Sequence, residues 1–94
     1  MSFEIKDNKV IIYEPLVDIE SIFDLVKNLK EIKATKIIID MVNNYSLPSA
    51  IIGQLTALRD RGKEIEIIIY NELIFSLFRD LGLDKLFTLK KVDK

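Results

Sequence analysis

The chain contains no cysteine, no histidine and no tryptophan. The missing cysteines exclude a disulfide framework and a thiolate nucleophile. With the missing histidines they also exclude thiolate and imidazole metal sites and all imidazole acid–base chemistry. A catalyst built from this chain would work with carboxylates, Lys, Arg, Ser, Thr and Tyr alone. Glycine is scarce: Gly53, Gly62 and Gly82 stand isolated, so no glycine-rich loop cradles a phosphate. Long hydrophobic runs are missing too. The apolar stretches at residues 37–39 and 67–70 fall far short of the ~20 residues of a membrane-spanning helix, and residues 1–6 lack a basic-then-apolar leader. Neither sign of charge is in excess, with 14 Lys and Arg against 15 Asp and Glu for a net charge of -1. That balance argues against nucleic-acid binding and against a disordered acidic tail. The reading is a cytoplasmic protein with no cofactor and no membrane insertion, an interaction module rather than an enzyme.

What is present is core material. Of the 94 residues 49% are hydrophobic, with 16 isoleucines and 12 leucines. This suffices for one domain over residues 1–94, burying roughly 60–65% of its unfolded surface. Phe3-Glu4-Ile5-Lys6 alternates, Asp7-Asn8 is a tight-turn pair, and Lys9-Val10-Ile11-Ile12-Tyr13 resumes as a strand, which predicts a β-hairpin stopped by Pro15. Asp18 caps a helix whose apolar stripe is Ile19, Ile22, Phe23, Val26 and Leu29. Residues 36–41 form a continuous β-branched strand of the parallel-sheet kind. Pro48 opens a second helix with Ile51, Ile52, Leu55 and Leu58 as its stripe, closed by Gly62. A strand follows at residues 64–70. Asn71 then caps a third helix with Leu73, Ile74, Leu77, Phe78 and Leu81 on one face, stopped by Gly82, and residues 86–92 supply a short last strand. The order β-β-α-β-α-β-α-β predicts an α/β domain: one mixed, mostly parallel sheet with an N-terminal hairpin and three helices.

In such sheets the working surface lies at the carboxyl ends of the strands. Here that end carries Asp40, Asn43, Asn44, Tyr45, Ser46 and Ser49, the densest polar cluster in the chain. The plainer account makes Asn43 and Asn44 turn formers, Ser46 a helix cap and Asp40 a loop anchor. The other account gives Asp40, Asn43, Tyr45 and Ser49 to a weak nucleotide pocket.

Three stretches resemble the STAS domain shared by anti-sigma factor antagonists and the cytoplasmic tails of sulfate transporters. They are Lys36-Ile37-Ile38-Ile39-Asp40-Met41 with the later Pro48-Ser49-Ala50-Ile51-Ile52-Gly53, then Leu58-Arg59-Asp60-Arg61-Gly62-Lys63-Glu64-Ile65, and most sharply Leu77-Phe78-Arg79-Asp80-Leu81-Gly82-Leu83-Asp84-Lys85-Leu86-Phe87. The resemblance implies a non-catalytic regulator that docks on an anti-sigma factor or related kinase-fold protein. Its docking patch would comprise Asn43, Asn44, Tyr45, Ser46, Leu47, Ser49, Ala50, Ile51 and Gly53. Within it, Tyr45, Leu47 and Ile51 are expected to form an exposed apolar surface at the head of the second helix. The antagonists carry Asp-Ser-Ser-Gly at that helix start and are modified on its second Ser. Matched residue by residue, Pro48 stands for the Asp, Ser49 for the first Ser, Ala50 for the modified Ser and Ile51 for the Gly. Ala50 has no hydroxyl, so the phosphoserine switch is not carried over. Ser49 and Ser46 are the neighbouring hydroxyls, where a phosphate would add about -1.5 to -2 charges. The likeness leaves open a small STAS subunit of a lipid-type membrane transporter, docked on its ATPase subunit. Pairing with a second copy of the chain stays open as well.

Overall fold

The computed structural model describes residues 2–42 and 47–93. The hairpin forms as its turn chemistry predicts. Strand β1 (Phe3–Lys6) pairs antiparallel with β2 (Lys9–Ile12), and Asp7 takes the left-handed conformation (φ 57°) that a two-residue turn demands. Asn8 ties this turn to the next strand by donating from its side-chain amide to the Lys36 carbonyl at 2.8 Å. Helix α1 (Ile19–Glu31) leads to β3 (Lys36–Met41), α2 (Ser49–Asp60) to β4 (Glu64–Ile69), and α3 (Glu72–Asp80) to β5 (Thr88–Lys91). The last connection passes through a single 3-10 turn, Leu83–Lys85. That turn takes residues 83–87 out of any strand, so β5 starts later than the apolar pattern predicts.

The five strands stand in sequence order, β1-β2-β3-β4-β5, parallel from β2 onward. Three right-handed crossovers that each step one strand in the same direction place all three helices on one face. Burial follows: Val10, Ile12, Ile37, Ile39, Met41, Ile65, Ile67 and Ile69 point under the helices and are excluded from solvent. The alternate residues of the same strands, among them Lys9, Ile11, Lys36, Ile38, Glu66 and Ile68, are half-buried on the open face. The architecture is therefore the α/β domain with one mixed sheet and three helices that the element order predicts.

Two helix faces differ from the predicted stripes. In α1 the core is reached by Leu25 and Leu29, with Ile22 and Val26 packed beside them, while Ile19 and Phe23 point outward. Phe23 lies two residues from Leu25, about 200° around the helix, so the two cannot both face the sheet. In α3 only Phe78 is fully buried; Ile74 and Phe75 pack at the core margin, and Leu73, Leu77 and Leu81 are exposed.

Candidate docking surface

Each parallel strand hands the chain to a helix at the same end of the sheet, so the first turns of α1, α2 and α3 share that end. The three helices start differently. Asp18 accepts the Ser21 N–H at 3.0 Å and the Ser21 hydroxyl at 3.1 Å. These two bonds hold the Asp18 carboxyl below the usual carboxylate range. Asn71 accepts the Ile74 N–H at 3.0 Å. Helix α2 begins instead on Pro48, which offers no side-chain acceptor, and carries no acidic residue in its first turn.

Of the residues assigned to the docking patch, Asn43, Asn44, Tyr45 and Ser46 lie outside the described residues. Ser49, Ala50 and Gly53 are exposed on the outward side of α2. A Cβ added at Gly53 would meet nothing within 4 Å, so this strip is low and open. Leu47 and Ile51 do not belong to it. Ile51 is 0% exposed and joins Leu55 and Leu58, four and seven residues on, in the core, and Leu47 is buried beside them. The expected exposed surface of Leu47 and Ile51 is thus absent. The reason lies in the helix phase: with Pro48 as the N-cap, the third helical residue turns toward the sheet. The spacing of Ile51 with Leu55 and Leu58 already placed it there, and the position matched by family likeness did not.

The exposed apolar residues of the helices are others. Leu73, Leu77 and Leu81 recur every four residues along α3 and are 78%, 48% and 64% exposed. Val17, just before the α1 cap, and Ile19 and Phe23 of α1 stand equally clear of the core. A signal for this was present in α3. Five of its nine residues are apolar, more than one helix resting on one sheet face can bury. The Arg79 guanidinium sits 5.8 Å from the centre of the Phe75 ring, covering part of one aromatic and leaving the leucines open. Contiguous exposed apolar residues of this kind mark interaction surfaces.

Asp40 has a different setting. It alternates with Ile39 and Met41, so its side chain lies on the open sheet face, between its register partners Ile11 and Ile68. It is 5% exposed, and its Oδ2 is 3.4 Å from the Lys9 ammonium. Tyr70 neighbours it, its hydroxyl pushed up first by burial and second by the Asp40 carboxylate. Ser49 rides on a helix over the other face. The structure therefore does not bring Asp40 and Ser49 to one pocket, and Asn43 and Tyr45 of that grouping lie outside the described residues. No group of three or more acidic residues among the described ones is placed to hold a metal ion. No helix among them is long and apolar enough to cross a membrane.

No protein-family model matches the chain, and no curated protein matches it. Among solved structures the fold is similar to the NMR structure of the protein TM1081. The superposition has a TM-score of 0.67 and 17% sequence identity, covering 96% of this chain and 79% of that one. At that identity the likeness is one of fold.

Proposed function

We propose that this chain is a non-catalytic regulatory docking module of the anti-sigma factor antagonist type, working in the cytoplasm without a phosphoserine switch at Ala50. Its partner is an anti-sigma factor or related kinase-fold protein. The observation that carries the reading is the exposed leucine ridge of α3, Leu73, Leu77 and Leu81. Such a row of exposed leucines presents a surface that a partner's helix or loop can cover, burying apolar area at about 25 cal/mol per Å². The sharpest family likeness, residues 77–87, runs through the end of that same ridge. The sequence also withholds Cys and His, and with them most of the groups that enzymes use.

Calorimetry with purified kinase-fold anti-sigma proteins tests this. The expected result is a stoichiometric complex that the double variant Leu73→Lys/Leu81→Lys abolishes, with the thermal midpoint of the free protein unchanged. A complex indifferent to these two changes, or no complex with any such partner, would overturn it.

A further inference from the structure

The two free edges of the sheet are built differently. Edge β5 presents Thr88, Leu89, Lys90 and Lys91, and Lys91 is engaged by Glu72 and by Asp93. Lysines on an edge strand are a common guard against further pairing. Edge β1 has no such guard on its helix side. Its ladder with β2 can be phased: Tyr13 N–H donates to the Ser2 carbonyl at 2.9 Å, and bonded pairs alternate along an antiparallel ladder. Residues 2, 4 and 6 therefore spend their backbone groups on β2, whereas Phe3 and Ile5 turn their N–H and C=O outward. The side chains of these same two residues face the helix layer, because they pair with Ile12 and Val10.

Beside this edge lies an open groove of about 550 Å³. Phe3 and Ile5 form its apolar floor, and Ser21, Asp24 and Asn28 of α1 form its wall. Asp24 is exposed and has no salt-bridge partner among the described residues. Glu20 and Glu31, four residues before and seven after it, lie on the same side of the helix, with the exposed Lys27 beside them.

We infer that β1 and this groove accept an extended basic segment of a partner protein as a sixth strand. Its backbone pairs with Phe3 and Ile5. Every second side chain enters the groove, with an aliphatic residue over the Phe3 and Ile5 floor and Arg or Lys reaching Asp24. Backbone bonds supply the attachment, and the groove supplies the choice of side chain. A second copy of this chain fits the groove less well. Pairing β1 with its symmetry mate would bring two copies of the exposed Asp24 carboxylate to the same junction. This surface is separate from the leucine ridge of α3, so the two can be occupied together.

The test uses the full chain, isotope-labelled, and a capped heptapeptide in which threonine alternates with arginine, valine and arginine. A second peptide carries glutamate in place of arginine. Titration of the arginine peptide is expected to shift the Phe3 and Ile5 amide resonances and to slow their hydrogen exchange, while the amides of residues 4 and 6, already bonded, stay protected throughout. Asp24→Lys is expected to weaken the arginine peptide about tenfold and to strengthen the glutamate peptide. If Asp24→Lys lowers the thermal midpoint, Glu20→Lys on the same flank takes its place. Three results would overturn the inference. One is unperturbed Phe3 and Ile5 amides at millimolar arginine peptide. Another is equal binding of the two peptides. The third is a dimeric scattering mass for the peptide-free protein with those two amides already protected.

Discussion

Helix α2 and its neighbours α1 and α3 are built from similar apolar counts and put them to opposite use. α2 buries Ile51, Leu55 and Leu58, and its exposed residues are Ser49, Ala50, Gly53, Arg59 and Asp60. α1 and α3 bury just what their contact with the sheet requires and hold Ile19, Phe23, Leu73, Leu77 and Leu81 out in water. Their N-termini differ in the same sense. α1 and α3 start on side-chain caps, and α2 starts on Pro48 without one. The central helix, lying over the middle of the sheet, is fixed by burial. The flanking helices depend more on their ends and leave part of their apolar surface for another molecule. An apolar residue in this chain is thus a core residue or a contact residue according to which helix carries it.

The largest effect that would break this contrast is at Ile51. Ile51→Ala removes a fully buried side chain and is expected to cost about 2–5 kcal/mol; Ile51→Lys adds an unpaired buried charge and is expected to unfold the domain. Leu73→Lys, an equally drastic change on paper, is expected to stay within about 0.5 kcal/mol. Urea titrations of the three variants decide it. If Ile51→Lys unfolded at the wild-type midpoint, Ile51 would be a surface residue and the contrast between the helices would fall.

The burial of Ile51 also separates what is legible in the sequence from what is not. Local punctuation was legible because its chemistry is local. Asp7-Asn8 made the turn, Asn71 capped α3, and Gly62 and Gly82 take positive φ where their helices stop. The sheet and its helices followed from the alternation of β-branched runs with helical spacing. The docking surface was harder to read, for two physical reasons. Periodicity in α3 cannot say which apolar residues face the sheet when five of nine are apolar, because the outcome depends on where the neighbouring β4 and β5 stand. At Ile51, spacing and family likeness disagreed. The spacing prevailed, because burying an isoleucine is worth more than keeping a motif in register.

A smaller effect separates the helix ends. Asn71→Ala removes the acceptor for the Ile74 N–H and is expected to cost about 1 kcal/mol. Pro48→Ala removes no side-chain hydrogen bond from the start of α2, and a change of only a few tenths is expected. Thermal midpoints of the two variants, read by circular dichroism, measure the difference. Equal losses would mean that α2 depends on its first turn as much as α3 does.

The smallest effect is a pH dependence confined to α1. The Asp18 carboxyl is held below its usual value by the Ser21 hydroxyl and the Ser21 N–H, so folding favours its ionised form. The sign follows from linkage: the stabilisation is fully present above the usual carboxylate value near about pH 4 and is lost as pH falls through the lowered folded value. Asn at this position keeps an oxygen acceptor for the Ser21 N–H and does not titrate. Asp18→Asn is therefore expected to match the wild type in acid and to lose to it at neutral pH. Hydrogen exchange at the Ser21 amide should show the change first, because it reports opening of that turn alone. The Ile74 amide, held by the uncharged Asn71, should show no such acid step. If Ile74 loosened in parallel with Ser21, the acid response would belong to the whole domain, and the caps would not distinguish one flanking helix from the other.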